Sequence, residues 1–327
     1  MRESVTSYVR VTVFVAILPI GLILGSCRSL HANSPANPDA TNSRPVASAG
    51  FRPRPSLGNV PYGAHPMQVL DFWKARSDEP TPLVIYIHGG GFTTGSKAMI
   101  MKSTVRRLLR NEISVAAIEY RVISEASLPA AHRDVQRAVQ FLRSNAKPWN
   151  LDKARFGGFG GSAGAQLLMF LAFHDDAADP DSDDPVARES TRLMAIAIKG
   201  GQANFDMNWW AEHIPGYSRP HRNMDRLFGK VPYEEQMQLV RSISALDNMS
   251  TDDAETSSIF MSYRMRPDDP LPKNEGDVLN WQVHHVNHGV VLRRRFEDVG
   301  GVAYLKYPGQ KATYRTKEAY LIDKLRP

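Results

Sequence analysis

Five consecutive apolar residues, Leu83-Val84-Ile85-Tyr86-Ile87, run straight into His88 and three glycines, Gly89, Gly90 and Gly91. No polar position interrupts the run, so both faces of the segment have to be covered. A strand of that kind belongs inside a parallel sheet with helices on each side. Residues 113–118 form a second such run, and further strand-like segments recur at 67–73, 155–159, 193–198, 259–263 and 302–307. Helical stretches lie between them at 97–110, 129–145, 163–173, 277–299 and 316–324. In 129–145, Val135, Ala138, Val139 and Leu142 recur at helical spacing, whereas 163–173 is apolar nearly all round and must be buried. The alternation predicts an α/β fold with a mostly parallel central sheet flanked by helices. Residues 205–242 break the pattern. They carry Trp209, Trp210, Tyr217 and Phe228 and read as a small cap inserted over the carboxyl edge of the sheet, its aromatics forming the cap's own core or gripping a substrate.

Composition narrows the function classes. The 327 residues are 42% hydrophobic and 23% charged, which suits a globular chain and excludes collagen-like or wholly disordered ones. A single cysteine excludes an intrachain disulfide framework, a zinc ribbon, a CxxC redox pair and a cysteine-held iron–sulfur cluster. The net charge of +6 is scattered, so nucleic acid is not expected as a partner.

The one cysteine sits at the end of an N-terminal apolar stretch, residues 11–24, too short to span a bilayer comfortably and suited to a secretory signal. The sequence Leu24-Gly25-Ser26-Cys27 resembles the lipobox of bacterial lipoproteins. That resemblance implies removal of residues 1–26, lipid attachment at Cys27 and an exported, membrane-anchored protein. An ordinary signal, leaving a secreted soluble protein, is the alternative. Residues 27–60, rich in Ser, Pro, Asn and Ala, read as a flexible tether, and 61–327 as the folded domain.

Two loops carry the chemistry. Gly160-Gly161-Ser162-Ala163-Gly164 is a G-x-S-x-G pattern between a strand and the buried helix. A serine on so tight a turn needs glycine on either side, and the helix start behind it offers free N–H groups to a developing negative oxygen. The second loop, His88-Gly-Gly-Gly-Phe92, leaves main-chain N–H groups unobstructed by side chains; His88 itself reads as a packed loop residue. Neither a G-x-G-x-x-G dinucleotide pattern nor a phosphate-loop lysine pattern occurs at these loops, so a nucleotide cofactor is not expected, and no other cofactor is implied. In a parallel sheet both loops open on the carboxyl edge, where ligands bind.

Together with Tyr120-Arg121 and Asp134, these motifs resemble the α/β-hydrolase fold, in its esterase/lipase branch that includes hormone-sensitive-lipase-like and feruloyl or acetyl-xylan esterase-like enzymes. The resemblance covers residues 61–327 and is most specific over 83–175. It implies hydrolysis of carboxylic esters through an acyl-serine, with Ser162 attacking and the N–H groups of Gly90, Gly91 and Ala163 holding the oxyanion. The substrate would be a small-molecule or polysaccharide-linked ester.

The same resemblance implies an acid after the strand at 259–263 and a histidine after the last strand. Asp269, before Pro270, is the leading acid; Asp268, Asp206 and Asp277 are weaker options. The loop after Tyr307 contains no histidine, and every histidine lies at or before His288. Within 277–299, His284, His285 and His288 are available, and His285 is the expected base. His284 and His288, at i and i+4, share a helical face, but no acidic third ligand is in register, so no metal is expected. A chain without a working base would instead be a binding protein on a hydrolase fold.

Overall fold

The computed structural model describes residues 53–326 apart from 219 and 222. The expected signal, the lipid-attachment site Cys27 and most of the tether lie outside the described residues. Eight strands form one sheet: β1 (Leu57–Pro61), β2 (Val69–Trp73), β3 (Thr81–Ile87), β4 (Ser114–Ile118), β5 (Leu151–Gly161), β6 (Ala195–Lys199), β7 (Ser258–Ser262) and β8 (Val302–Lys306). Their order is β1-β2-β4-β3-β5-β6-β7-β8. The pairs β1/β2 and β2/β4 are antiparallel and the rest parallel. This is the expected α/β fold, an α/β-hydrolase sheet. β1 was not expected: it takes the last residues assigned to the tether and adds a strand at the sheet's edge.

Period two is legible in the packing. Leu83, Ile85 and Ile87 of β3 point into one core with the helices Ala130–Ser144, Ala163–Phe173 and Asn287–Asp298. Val84 and Tyr86 point the other way, towards the helices Lys102–Leu109 and Lys317–Leu325. Covering both faces is why the run carries no polar residue; each large side chain so buried contributes about 1.5–3 kcal/mol.

Two features of the helical connections matter for function, and the second departs from expectation. The connection from β6 to β7 does hold an insert, including the helices Met207–His213, Met224–Phe228 and Tyr233–Ile243. Its Trp210, Ile214 and Tyr217 are buried in a small core of their own, so these aromatics build the cap. The expected single helix over 277–299 is two, Glu275–Val283 and Asn287–Asp298, with His284, His285 and Val286 between them. No proline or glycine marks that break in the sequence.

Candidate active site

β3 and β5 are neighbours, with Ile87 opposite Gly160. The glycine loop and Ser162 therefore leave the sheet side by side. Ser162 has φ 53° and ψ −121°, a backbone conformation that costs about 1–3 kcal/mol for a residue with a side chain. Its N–H donates to the Lys199 carbonyl at 3.0 Å, which holds the turn against the end of β6. The helix Ala163–Phe173 starts at the next residue.

Two glycines make this approach possible. A Cβ on Gly164 would lie 2.2 Å from the Ile87 carbonyl oxygen and 2.6 Å from that of His88. A Cβ on Gly90, which has φ +119°, would lie 2.0 Å from the Thr94 carbonyl oxygen. Among the described residues, the N–H groups of Gly90, Gly91 and Ala163 donate to no internal acceptor. They are not spent on partners among the described residues.

His88 braces this loop. Its buried ring stacks on Tyr120 with centroids 4.2 Å apart. Nδ1 lies 2.7 Å from the Gly89 carbonyl oxygen, and Nε2 lies 3.1 Å from the Glu119 carboxylate. The Tyr120 hydroxyl donates to the His88 carbonyl at 2.9 Å. Burial raises the Glu119 pKa, but hydrogen bonds from His88, Ser96 and the Lys97 amide outweigh it and leave the carboxyl below its usual range. Asp134 is a second brace. It accepts from the Arg121 guanidinium and amide and from Gln68, at 2.6–3.1 Å.

The histidine that reaches the serine is His284. Its Nε2 lies 3.1 Å from Ser162 Oγ. Its Nδ1 lies 2.9 Å from the carbonyl oxygen of Asn280, which also accepts the His284 N–H at 3.2 Å. A carbonyl can only accept, so Nδ1 carries the proton and Nε2 turns its lone pair towards the serine hydroxyl. This is the tautomer a base needs. It is set by a main-chain dipole.

Three features place His284. The helix Glu275–Val283 ends there, and the chain turns instead of carrying the ring onwards. Buried Gln202 donates to both the Gly200 and Val283 carbonyls at 2.8 Å, tying the end of β6 to the end of that helix. Gly200, with φ +56°, leaves room for the ring: a Cβ there would lie 3.0 Å from His284 Cδ2.

The other expected residues of the triad lie elsewhere, which corrects the sequence reading. His285 is fully buried, packed on Trp281, with Nδ1 accepting the Asn287 N–H at 3.2 Å. Burial pushes its pKa down to about 4, against an opposing pull from Asp269. Asp269 accepts the Arg266 N–H at 2.7 Å and Asp268 pairs with the Arg266 guanidinium; both close a turn. Asp206 and Asp277 hold helix starts, through the Asn208 N–H and the Asn274 amide. His288 sits among Trp209 and Trp210, apart from His284. A histidine after Ser162 in chain order was legible. Which of the three adjacent candidates faces it was not, because phase counted along one continuous helix fails once that helix breaks.

Ser162 and His284 line one cavity of about 300 Å³ at the carboxyl ends of β5, β6 and β7. The BD-FAE family model matches residues 70–277. This chain belongs to the BD-FAE family. The matched span of this BD-FAE chain holds the glycine loop and Ser162 and stops before His284. Esterase LipC of Mycobacterium tuberculosis is 33% identical over 144 residues, 43% of this chain and 36% of that protein. The chain spans about half or less of the length of the curated relatives it matches. An acetyl ester-xyloside bifunctional hydrolase from Caldicellulosiruptor lactoaceticus has a similar structure, with a TM-score of 0.57 and 24% identity over 74% of this chain and 78% of that one. A truncated carbohydrate esterase from gut microbiota aligns with a TM-score of 0.59 and 21% identity over 77% and 86% of the two chains. At these identities the two structures speak for the fold.

Proposed function

We propose that this BD-FAE chain hydrolyses carboxylic esters through Ser162 and His284. The observation that carries the reading is the imidazole whose Nε2 lies 3.1 Å from Ser162 Oγ while its Nδ1 is committed to the Asn280 carbonyl. Ser162 Oγ attacks the ester carbonyl and its proton passes to His284 Nε2. The carbonyl oxygen, now negative, is held by the N–H groups of Ala163, Gly90 and Gly91; one such donor is typically worth about 10²–10³ in rate. His284 then protonates the departing alkoxide as the carbonyl re-forms, leaving an acyl-serine. Water repeats the sequence with His284 as base and releases the acid.

Against the alternative of a binding protein without a working base stands the 3.1 Å approach of His284 Nε2 to Ser162 Oγ. Esterase names among the relatives support the activity. The acetyl ester-xyloside hydrolase and the carbohydrate esterase of similar fold favour an acylated polysaccharide or oligosaccharide as substrate. A fluorophosphonate probe tests the reading: it should label the protein stoichiometrically and fail to label Ser162→Ala. Silence on folded wild-type protein would reject it.

The exported, lipid-anchored location belongs to this proposal and rests on the sequence of residues 11–27. Radiolabelled palmitate should enter the wild-type protein and not Cys27→Ala. Equal labelling of the two would reject the anchor.

A further inference from the structure

The cavity that holds Ser162 and His284 has an unbalanced electrostatic wall. Lys199, at the end of β6, and Arg264, two residues past β7, both line it, and no carboxylate does. Among the described residues neither side chain makes an ion pair or a side-chain hydrogen bond. Glu318, Asp268 and Asp269 are engaged with other groups: Glu318 with Lys317 and Thr104, Asp268 with Arg266, Asp269 with a backbone N–H. Lys199 and Arg264 are both exposed; partial desolvation, and the positive charges of Arg264 and Lys317, hold the Lys199 ammonium below its usual pKa. Two cations facing one cavity without an anion repel each other, and a bound anion would relieve that repulsion.

We infer that Lys199 and Arg264 form an anion subsite beside the reacting serine, and that the preferred substrate is an ester bearing a carboxylate near its scissile bond. The inference rests on the hydrolase reading above and adds the chemical class of substrate. The carboxylate can belong to the acyl group, as in a half-ester of a dicarboxylic acid, or to the alcohol, as in an acylated uronic acid. Either places a negative charge against the same wall.

Matched pairs separate these sources. Monomethyl adipate against methyl adipamate puts the charge on the acyl side; 4-acetoxybenzoate against 4-acetoxybenzamide puts it on the leaving side. For at least one pair the charged member should have the higher kcat/KM, by about 5- to 30-fold at low salt, the range for one or two partly screened charge contacts. That ratio should shrink as ionic strength rises and fall towards one in Lys199→Met/Arg264→Met. A ratio near one for both pairs in the wild type, or a ratio that survives in the double variant, would overturn the inference. If no ester is turned over, binding of amide analogues of both pairs to Ser162→Ala, N-methyladipamate against N-methyladipamide and 4-acetamidobenzoate against 4-acetamidobenzamide, reads the same preference without chemistry. Equal affinities within both pairs would overturn the subsite by itself, so it and the hydrolase reading fail separately.

Discussion

The two halves of the candidate site are held in different ways. Around Ser162 the backbone is locked by close approach: strand β3 and the helix Ala163–Phe173 meet where only Gly164 fits, and Ser162 is forced to φ 53°. Around His284 the described contacts are mostly hydrogen bonds, with the ring close to Gly200. The ring sits at a helix end, oriented by one carbonyl and tethered to β6 through the Gln202 amide. The first arrangement depends on atoms that cannot give way. The second depends on individual hydrogen bonds, each worth only about 0.5–1.5 kcal/mol net. A catalytic constellation can therefore be rigid at its nucleophile and adjustable at its base.

The sharpest way to break this comparison is to exchange the histidines. His284→Ala should lower kcat for p-nitrophenyl acetate by about 10²–10⁴, the usual contribution of a positioned base. His285→Ala should leave kcat within about threefold, since its ring is buried against Trp281 and its Nδ1 accepts the Asn287 N–H. The reverse pattern would restore the sequence-based assignment.

The glycine lock should answer in stability. Gly164→Ala forces a methyl group to 2.2 Å from a carbonyl oxygen, an overpacking that costs about 1–3 kcal/mol or more and should lower the thermal midpoint by about 5 °C or more. An unshifted midpoint would show that the two elements can part. In the looser half the same comparison predicts the opposite balance. Gln202→Leu keeps the bulk, removes the bridge and should lower kcat by about 5- to 30-fold, with KM and the melting temperature moving less.

A smaller effect is expected in the pH dependence of stability. Burial pushes the pKa of His132 down to about 3, with the nearby His174 and Arg133 charges adding to the shift, and that of His285 down to about 4. Between these values and the ordinary histidine value of 6.5 the unfolded chain binds protons that the folded chain refuses. Stability should therefore fall as pH drops through that window, by about 1.4 kcal/mol per pH unit for each proton once well inside it. Urea unfolding at pH 7, 6 and 5 should give a shallower slope for His132→Leu than for the wild type. An identical slope would mean that His132 is protonated in the folded protein.

The fold was legible because its signals are local and redundant. An unbroken apolar run such as Leu83–Ile87 can only be a doubly covered strand, and the burial of Ala163–Phe173 follows from its composition alone. β1 escaped because Leu57-Gly58-Asn59-Val60-Pro61 has no apolar alternation; its pairing with β2 makes it a strand.

The chain's order of residues marked the proposed nucleophile and oxyanion loop, since both are turns written in glycine, and glycine is chosen where a Cβ has no space. Only the tertiary structure singled out the proposed base and the proposed subsite. A helix that stops at Val283 without a breaking residue, a glutamine joining two carbonyls, and two cations from different strand ends facing one cavity are all contacts between segments far apart in sequence. Local propensity carries no record of them, because their geometry exists only after the sheet has brought those strand ends together.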